Sequence, residues 1–393
     1  MRKITLLSLA ILLMGLSASA VTHTVDLGGE ADYTSIQPAL EAAEAGDTVI
    51  VAPGTYTGPQ NRNLDFAGKD IRLIAEAGRE ETVIDCQSLG RAFFMNGGES
   101  PLALIKGFRI VGGYHMSYGG AMYCYSASPS VVDCSFEDCS SVQGGAIYAF
   151  GAGEGMSIDA CTFTGNSADY GGVLYATGQL APNLTGCDFS DNHGDLKGGA
   201  IYCTNSSSGT IEDCRFLGND SLAGGSIFLN YLSSPMITGC VFLDNTADEG
   251  GAIGAFNGCA PEITLCTFVH NDASAGSSVH AALNSNATIH NCILAFGLGT
   301  ANSMACAASS PVVYHNLVWS NGTSNMLCGD YYENLYLNPQ FCGVDNEGPY
   351  TLQSDSPALA ANNVYAEHMG ALPSDCGEQA AERSTWSEIK RSY

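Results

Sequence analysis

The sequence predicts an all-β solenoid, a fold in which short repeated units stack and share one core. Three observations support this prediction: a Gly-Gly-aliphatic motif that returns every 25 to 27 residues, a Cys-x-Phe motif with nearly the same period, and no helical periodicity between them. A unit of this length with two or three strands cannot bury its own apolar face. The units must therefore stack, and their shared apolar positions form a continuous core.

The first motif joins two glycines to a small residue and an aliphatic one. Its second position is occupied by Gly120, Gly145, Gly172, Gly199, Gly225, Gly251 and Ser277. Glycine adopts left-handed backbone conformations without strain. The motif therefore predicts one tight turn in every unit.

The second motif centres on a cysteine, with an aliphatic residue three positions before it, an aromatic residue two after it and an asparagine five after it. Its cysteines are Cys134, Cys161, Cys187, Cys214, Cys240, Cys266 and Cys292. Parallel stacking places equivalent residues in one column at about 4.8 Å. We expect interior ladders of aliphatic residues, phenylalanines and free thiols, and a ladder of asparagines at a turn.

These motifs resemble the repeats of the chlamydial polymorphic outer-membrane proteins and, more broadly, right-handed parallel β-helix proteins of the pectin-lyase-like superfamily. The resemblance is strongest over residues 119–294. It implies one right-handed parallel β-helix of about a dozen coils over residues 21–376. Lyases, hydrolases and adhesins share this fold, so the function has to be argued from particular residues.

Residues 1–20 have the pattern of a secretory signal peptide. Arg2 and Lys3 precede an apolar stretch, and Ala18-Ser19-Ala20 provides a small-residue cleavage site. We therefore expect a secreted or cell-surface protein. No later segment is long and apolar enough to be a transmembrane helix.

Both ends of the solenoid have candidate closing segments. Residues 33–46 predict an N-terminal capping helix with Ser35 as its N-cap residue. Residues 338–341 and 352–359 resemble the closing coil of secreted β-helix proteins, and residues 377–393 form a polar tail. Cys342 with Cys376, and Cys306 with Cys328, are candidate disulfides of this region, although the sequence cannot fix the connectivity.

The charge balance excludes one class of partner. The chain has 14 lysines and arginines against 40 acidic residues, a formal net charge of −26. Binding to nucleic acids requires clustered cations that neutralise phosphates. We therefore expect no nucleic-acid partner.

Catalytic groups are sparse. Polysaccharide lyases need a basic residue, and glycosidases of this fold need converging carboxylates. Lys197 and Arg215 are the only bases between residues 110 and 382, and Asp191 and Asp195 lie near Lys197 in sequence. These four residues are the candidate site if the protein is a lyase or hydrolase of acidic polysaccharide.

An aromatic column is the alternative functional feature. Because side chains alternate along a strand, the residue that follows the aliphatic position of each glycine motif faces outward. These residues are Tyr123, Tyr148, Tyr175, Tyr202 and Phe228. A solvent-exposed column could stack against sugar rings, or the rings could simply stabilise the sheet by pairing along it.

The loops before the glycine motif are acidic. Asp195, Asp220 and Asp248 are weak candidates for Ca²⁺ ligands, because carboxylates suit this ion. The same charges could instead keep the sheet edge soluble. The leading hypothesis is a non-catalytic binding, adhesion or structural protein whose partner is a glycan or a cell surface.

Overall fold

The computed structural model describes residues 20–151, 155–179, 182–299, 301–322, 325–342, 350–372 and 374. They form a right-handed parallel β-solenoid with four parallel sheets, named A to D below. The predicted signal peptide, apart from Ala20, and the whole 377–393 segment lie outside this range.

Sheets A and B run along most of the solenoid. The strands of sheet A are Thr22–Val25, Thr48–Val51, Arg72–Ala75, Leu104–Lys106, Ser130–Val132, Ser157–Asp159, Asn183–Thr185, Thr210–Glu212, Met236–Thr238, Glu262–Thr264, Thr288–His290, Val312–Tyr314 and Asp330–Tyr332. The strands of sheet B are Gly54–Tyr56, Thr82–Asp85, Arg109–Val111, Ser135–Glu137, Thr162–Thr164, Asp188–Ser190, Arg215–Leu217, Val241–Leu243, Thr267–Val269, Ile293–Ala295 and Leu317–Trp319.

Sheets C and D are shorter. The strands of sheet C are Phe93–Met95, Met122–Tyr125, Ile147–Phe150, Leu174–Thr177, Ile201–Cys203, Ile227–Leu229, Ile253–Phe256, Val279–Ala282 and Met304–Ala307. The strands of sheet D are Ser167–Tyr170, His193–Lys197, Asp220–Ala223, Thr246–Glu249 and Asp272–Ala275. A central coil passes through sheets A, B, D and C in that order.

The core consists of the predicted ladders. Six phenylalanines stack face to face with ring centroids 4.7 to 5.0 Å apart, and all are buried. They are Phe136, Phe163, Phe189, Phe216, Phe242 and Phe268. The seven motif cysteines are also buried and free, as predicted.

The asparagine ladder lies at the turn between sheets B and D. Asn219 shows the pattern: its Nδ2 donates to the carbonyl oxygen of Phe189 and to Oδ1 of Asn245. Its own Oδ1 accepts from the backbone N–H and Nδ2 of Asn192. Each amide therefore satisfies backbone groups that the turn leaves without a strand partner, which confirms the predicted position.

The glycine motif forms the turn before sheet C. Gly144 has a φ of +66°, a conformation that glycine adopts at little cost. A Cβ on the next residue, Gly145, would clash with the carbonyl oxygen of Gly172 in the neighbouring coil. The two glycines thus serve different purposes, one conformational and one steric.

The chain beyond Leu335 departs from the prediction. Residues 338–341 and 352–359 do not form a closing coil; the described residues of 338–342 and 350–372, which we call the arm, lie on the outer face of sheet B instead. Phe341, Leu352 and Met369 pack there against the outward residues Val269 and Ile293. The outer face of the last coils is apolar, so a covering segment removes it from water.

The remaining predictions of this region concern caps and disulfides. Helix Ile36–Ala42 lies within the predicted cap, with Ile36, Ala39 and Leu40 buried, and its capping role stays a prediction.

A 3₁₀ helix spans Ala360–Asn362. Cys306 and Cys328 form a disulfide with Cα atoms 5.9 Å apart. Cys342 is also disulfide-bonded, while Cys376 lies outside the described residues.

Candidate functional site

The aromatic column forms on sheet C in the predicted register. Tyr148 pairs with Tyr123 on one side and Tyr175 on the other, and the ring centroids are 5.5 Å apart in both cases. The column continues through Tyr202 to Phe228 and begins with Phe94, whose ring stacks on Tyr123 at 5.3 Å. Strand register alone therefore aligns six rings.

The predicted solvent exposure of this column is wrong for three of its five predicted rings. Tyr148 is 9% exposed, Tyr202 is 6% exposed and Phe228 is fully buried. Lys197 from sheet D lies 4.6 Å from the centroid of the Phe228 ring. In addition, near-parallel stacking uses both faces of each inner ring, so no sugar could stack there. Most of the column is a structural ladder.

A second, shorter stack leaves one ring face open. Tyr125 lies two residues after Tyr123 on the same strand and stacks on Phe150 with centroids 4.9 Å apart. In the preceding coil the neighbour of Tyr125 is Asn96. Met95 pairs with Cys124, so the residues that follow them, Asn96 and Tyr125, lie side by side. One face of Tyr125 stacks on Phe150, and Tyr123, two residues away on the same strand, lies beside the ring with centroids 6.3 Å apart. Among the described residues no aromatic ring covers the other face, and the side chain is 45% exposed.

This open face lines a cleft of about 490 Å³. The cleft is lined by Arg91, Phe94, Asn96, His115, Tyr118, Tyr123 and Tyr125. Its volume falls within the usual range for small-molecule sites, and its walls combine ring surface with a few polar groups. We consider it the best candidate for a functional site.

Arg91 forms one wall of the cleft and is held rigidly. Its Nε donates to the carbonyl oxygens of Tyr118 and Gly119, and its Nη2 donates to Tyr118. Burial lowers the pKa of Arg91 to about 10, while the nearby Tyr123 favours the charged form. The guanidinium is therefore charged at neutral pH, and it also lies over the rings of Phe94 and Tyr123, 5.9 and 5.2 Å from their centroids.

His115 provides a hydrogen-bond donor. Its Nδ1 accepts from the backbone N–H groups of Ser117 and Tyr118, each at 3.1 Å. Burial, together with the charge of Arg91, lowers the pKa of His115. The ring is neutral at neutral pH with its proton on Nε2, because Nδ1 is occupied as an acceptor.

A smaller cavity of about 160 Å³ adjoins the cleft and shares His115. Ser140, Ser141 and Ser167 provide hydroxyl groups there, and Asp169 and Asp195 provide carboxylates. The lining of the larger cleft contains no carboxylate. The two cavities therefore differ in charge: Arg91 lines the larger one, and two carboxylates line the smaller one.

The four candidate catalytic residues do not come together. Arg215 lies on sheet B and pairs with Asp188 at 3.0 Å. Lys197 lies over the Phe228 ring, and Asp195 contacts His193. Asp191 is exposed at a turn, with a φ of +54°. No hydrogen bond or ion pair joins any two of these four.

Asp188 is nevertheless an unusual carboxyl group. Burial raises its pKa, an effect that the attraction of Arg215 only partly offsets. Its Oδ1 is buried without a hydrogen-bond partner among the described residues. Removing Arg215 would therefore leave the charge of Asp188 buried without a partner and destabilise the folded state.

The variant Arg215→Met should lower the free energy of unfolding by about 2 kcal/mol at neutral pH, because it leaves ionised Asp188 buried and unpaired. The folded-state pKa of Asp188 lies above its ordinary value of 3.8. Without Arg215 this pKa rises further, so the loss should be complete above the pKa that Asp188 has in the folded variant and should shrink as pH falls through it. Urea unfolding of both proteins across this range measures the effect. A loss of stability that does not change with pH would show that lost packing, and not the charge of Asp188, is its cause.

The acidic edge brings together two of the three candidate calcium ligands. His193 contacts Asp220 at 2.7 Å and Asp195 at 2.9 Å. Burial alone would lower the pKa of His193, but these two contacts raise it. Asp248 belongs to another strand of sheet D. Within the range that the structure describes, no group of three or more side chains could hold a metal ion.

The sequence reasoning missed most of the cleft. Arg91, Asn96, His115 and Tyr118 come from two coils at or before the edge of the clear repeats, where no column identifies them. Tyr125 could have been found, because alternation also turns the residue two after Tyr123 outward. Phe150 stands at the same position one unit later.

Comparisons with known proteins agree on the fold. Residues 120–293 match the family model described as "Right handed beta helix region". A pectate lyase, Pel9A, is similar in structure with a TM-score of 0.50 and 13% identity, over 92% of this chain and 98% of that chain. The PL6 family alginate lyase AlyGC has a TM-score of 0.40 and 13% identity, over 88% of this chain and 57% of its own. No curated protein sequence matches the chain.

None of the helices formed by the described residues could span a lipid bilayer. The low identities mean that the structural comparisons speak for the fold alone. The repeats, the four parallel sheets and the family match all indicate the same fold. The chain is a right-handed parallel β-helix of the pectin-lyase-like fold.

Proposed function

We propose that this protein is a secreted, non-catalytic β-helix protein that binds oligosaccharides in the cleft beside Tyr125. The observation that carries the proposal is the open face of the Tyr125 ring within a cleft that also presents Arg91, Asn96 and His115. A sugar ring has an apolar C–H face that stacks on an aromatic ring and hydroxyl groups at its edge that need polar partners. The cleft offers both.

The charge of the cleft favours acidic sugars. Arg91 is the only residue of its lining that is charged at neutral pH, in a chain whose formal net charge is −26. A sugar carboxylate bound in the cleft would lie near the charged guanidinium of Arg91 and would be attracted to it. We therefore expect uronic-acid oligosaccharides to bind more tightly than neutral ones.

The proposed location outside the cell has two supports. One is the secretory pattern of residues 1–20. The other is the disulfide between Cys306 and Cys328, since disulfides persist in oxidising compartments. Mass spectrometry of protein expressed with its N-terminus would test this by showing whether the chain begins after Ala20.

A glycan array with neutral and uronic-acid oligosaccharides tests the binding function. The wild-type chain should bind, and Tyr125→Ala should lose about tenfold in affinity, because the stacking face disappears. Tyr231→Ala is the matched control, since Tyr231 is 56% exposed at a turn away from the cleft. Its affinity should be unchanged. Failure of the wild-type chain to bind, or equal losses in both variants, would contradict the proposal.

A further inference from the structure

The last strand of sheet A leaves a core position open. Tyr331 of strand Asp330–Tyr332 pairs with Val313, which continues the interior column of aliphatic residues. Val313 is fully buried, yet Tyr331 is 54% exposed. Its side chain occupies a core position, and no described strand is stacked on its outer side.

Sheet B ends in the same way. Leu335 bridges to Leu317, so the next residue, Tyr336, lies beside the fully buried Val318. Tyr336 is 47% exposed. Burial raises the pKa of Tyr336, and the nearby phenol of Tyr331 raises it further. The two tyrosines therefore lie close together at this end of the solenoid. Together with Leu337, which is 49% exposed, they form what we call the end surface.

The described part of the arm does not cover this end surface. It follows the last coil and lies along sheet B, where the backbone N–H of Ala371 donates to Oγ1 of Thr267. Strand Asp330–Tyr332 is the last of its sheet and pairs on one side only among the described residues. An open solenoid end exposes both apolar side chains and unpaired backbone groups, and solenoids ordinarily cover it.

The end surface is bordered by acidic residues, and one segment of the chain has complementary chemistry. Asp330 and Glu333 are exposed beside the tyrosines. Between residues 110 and 382 the chain has only two bases, whereas residues 383–393 contain three bases and one acid, Glu388, so the positive charge of the tail lies in its last eleven residues. The same short stretch contains the apolar residues Trp386, Ile389 and Tyr393.

We propose that segment 377–393 docks on the end surface, with its apolar side chains on Tyr331 and Tyr336 and its bases beside Asp330 and Glu333. The distance permits this. Thr267, beside which the arm ends, lies three coil steps from Leu335, or about 15 Å at the strand spacing. The 21 residues from 373 to 393 reach up to about 70 Å when extended.

Fluorescence of Trp386 in the full chain tests this docking. The chain has two tryptophans, so Trp319→Phe leaves Trp386 as the only one. We expect a blue-shifted emission and quenching by acrylamide several-fold weaker than for free tryptophan. Adding Tyr331→Lys and Tyr336→Lys should abolish this protection, whereas Tyr231→Lys, at an exposed turn, should preserve it.

Three outcomes would overturn the proposal. Trp386 could be quenched as readily as free tryptophan, its protection could survive the lysine variants, or its protection could vary with protein concentration, which would assign docking to a second copy. If the lysine variants do not fold, as circular dichroism would show, Arg383→Glu with Lys390→Glu and Arg391→Glu is the second test. Hydrogen exchange in strand Asp330–Tyr332 should then rise, and no change there would also overturn the proposal.

Discussion

Asn219→Leu should lower the free energy of unfolding by about 4 kcal/mol. Asn219 is fully buried and makes four hydrogen bonds, two as donor and two as acceptor. Leucine removes the bond to the carbonyl oxygen of Phe189 and leaves the backbone N–H and one of the two Nδ2 hydrogens of Asn192 without an acceptor, and each buried unsatisfied group costs about 1–3 kcal/mol. Chemical denaturation of the purified variant measures the loss.

Glu212→Leu is the matched control for this variant. Glu212 is an exposed residue at the end of strand Thr210–Glu212, in the same coil as Asn219. The expected change is within about 0.5 kcal/mol, as for most surface substitutions. Comparable losses in the two variants would mean that the ladder does not stabilise the coil stack.

Val269→Asp should detach the arm from sheet B. Val269 faces outward from sheet B but is fully buried beneath the arm. A carboxylate at this position would be charged in an apolar cluster, which costs on the order of 4 kcal/mol. Limited proteolysis followed by mass spectrometry should show cleavage within residues 335–372 while the rest of the solenoid stays intact.

Thr164→Asp provides the control at the same position of an earlier coil. Thr164 belongs to the outward column of sheet B that leads through Ser190 and Leu217 to Val269. It is exposed, so an aspartate there should change neither stability nor proteolysis. An arm that stays protected in Val269→Asp would contradict the role assigned to this cluster.

The fold could be predicted from the sequence because a solenoid converts sequence period directly into spatial columns. Phe216, Cys214 and Asn219 each have an equivalent in the neighbouring units, and the structure places all three columns as expected. The arm was missed, although the sequence contained a signal for it. The outward residues of sheet B change from Glu137 and Thr164 to Leu243 and Val269, and such an apolar outer face requires a cover.

The candidate site was predictable only in part. Outward alternation identified Tyr123 and its column, but period alone does not show that stacked rings cover one another's faces. The open face depends on Asn96, where the neighbouring coil has no aromatic residue. Arg91 and His115 occur once each, so no repeat points to them.

The most direct test of saccharide binding is a crystal structure of the full chain with the tightest-binding oligosaccharide from the array. We expect one sugar ring parallel to the open face of Tyr125, with hydrogen bonds to Asn96 or Arg91. A sugar bound elsewhere, such as beside Asp188 and Arg215, with the cleft at Tyr125 empty, would contradict the proposed function.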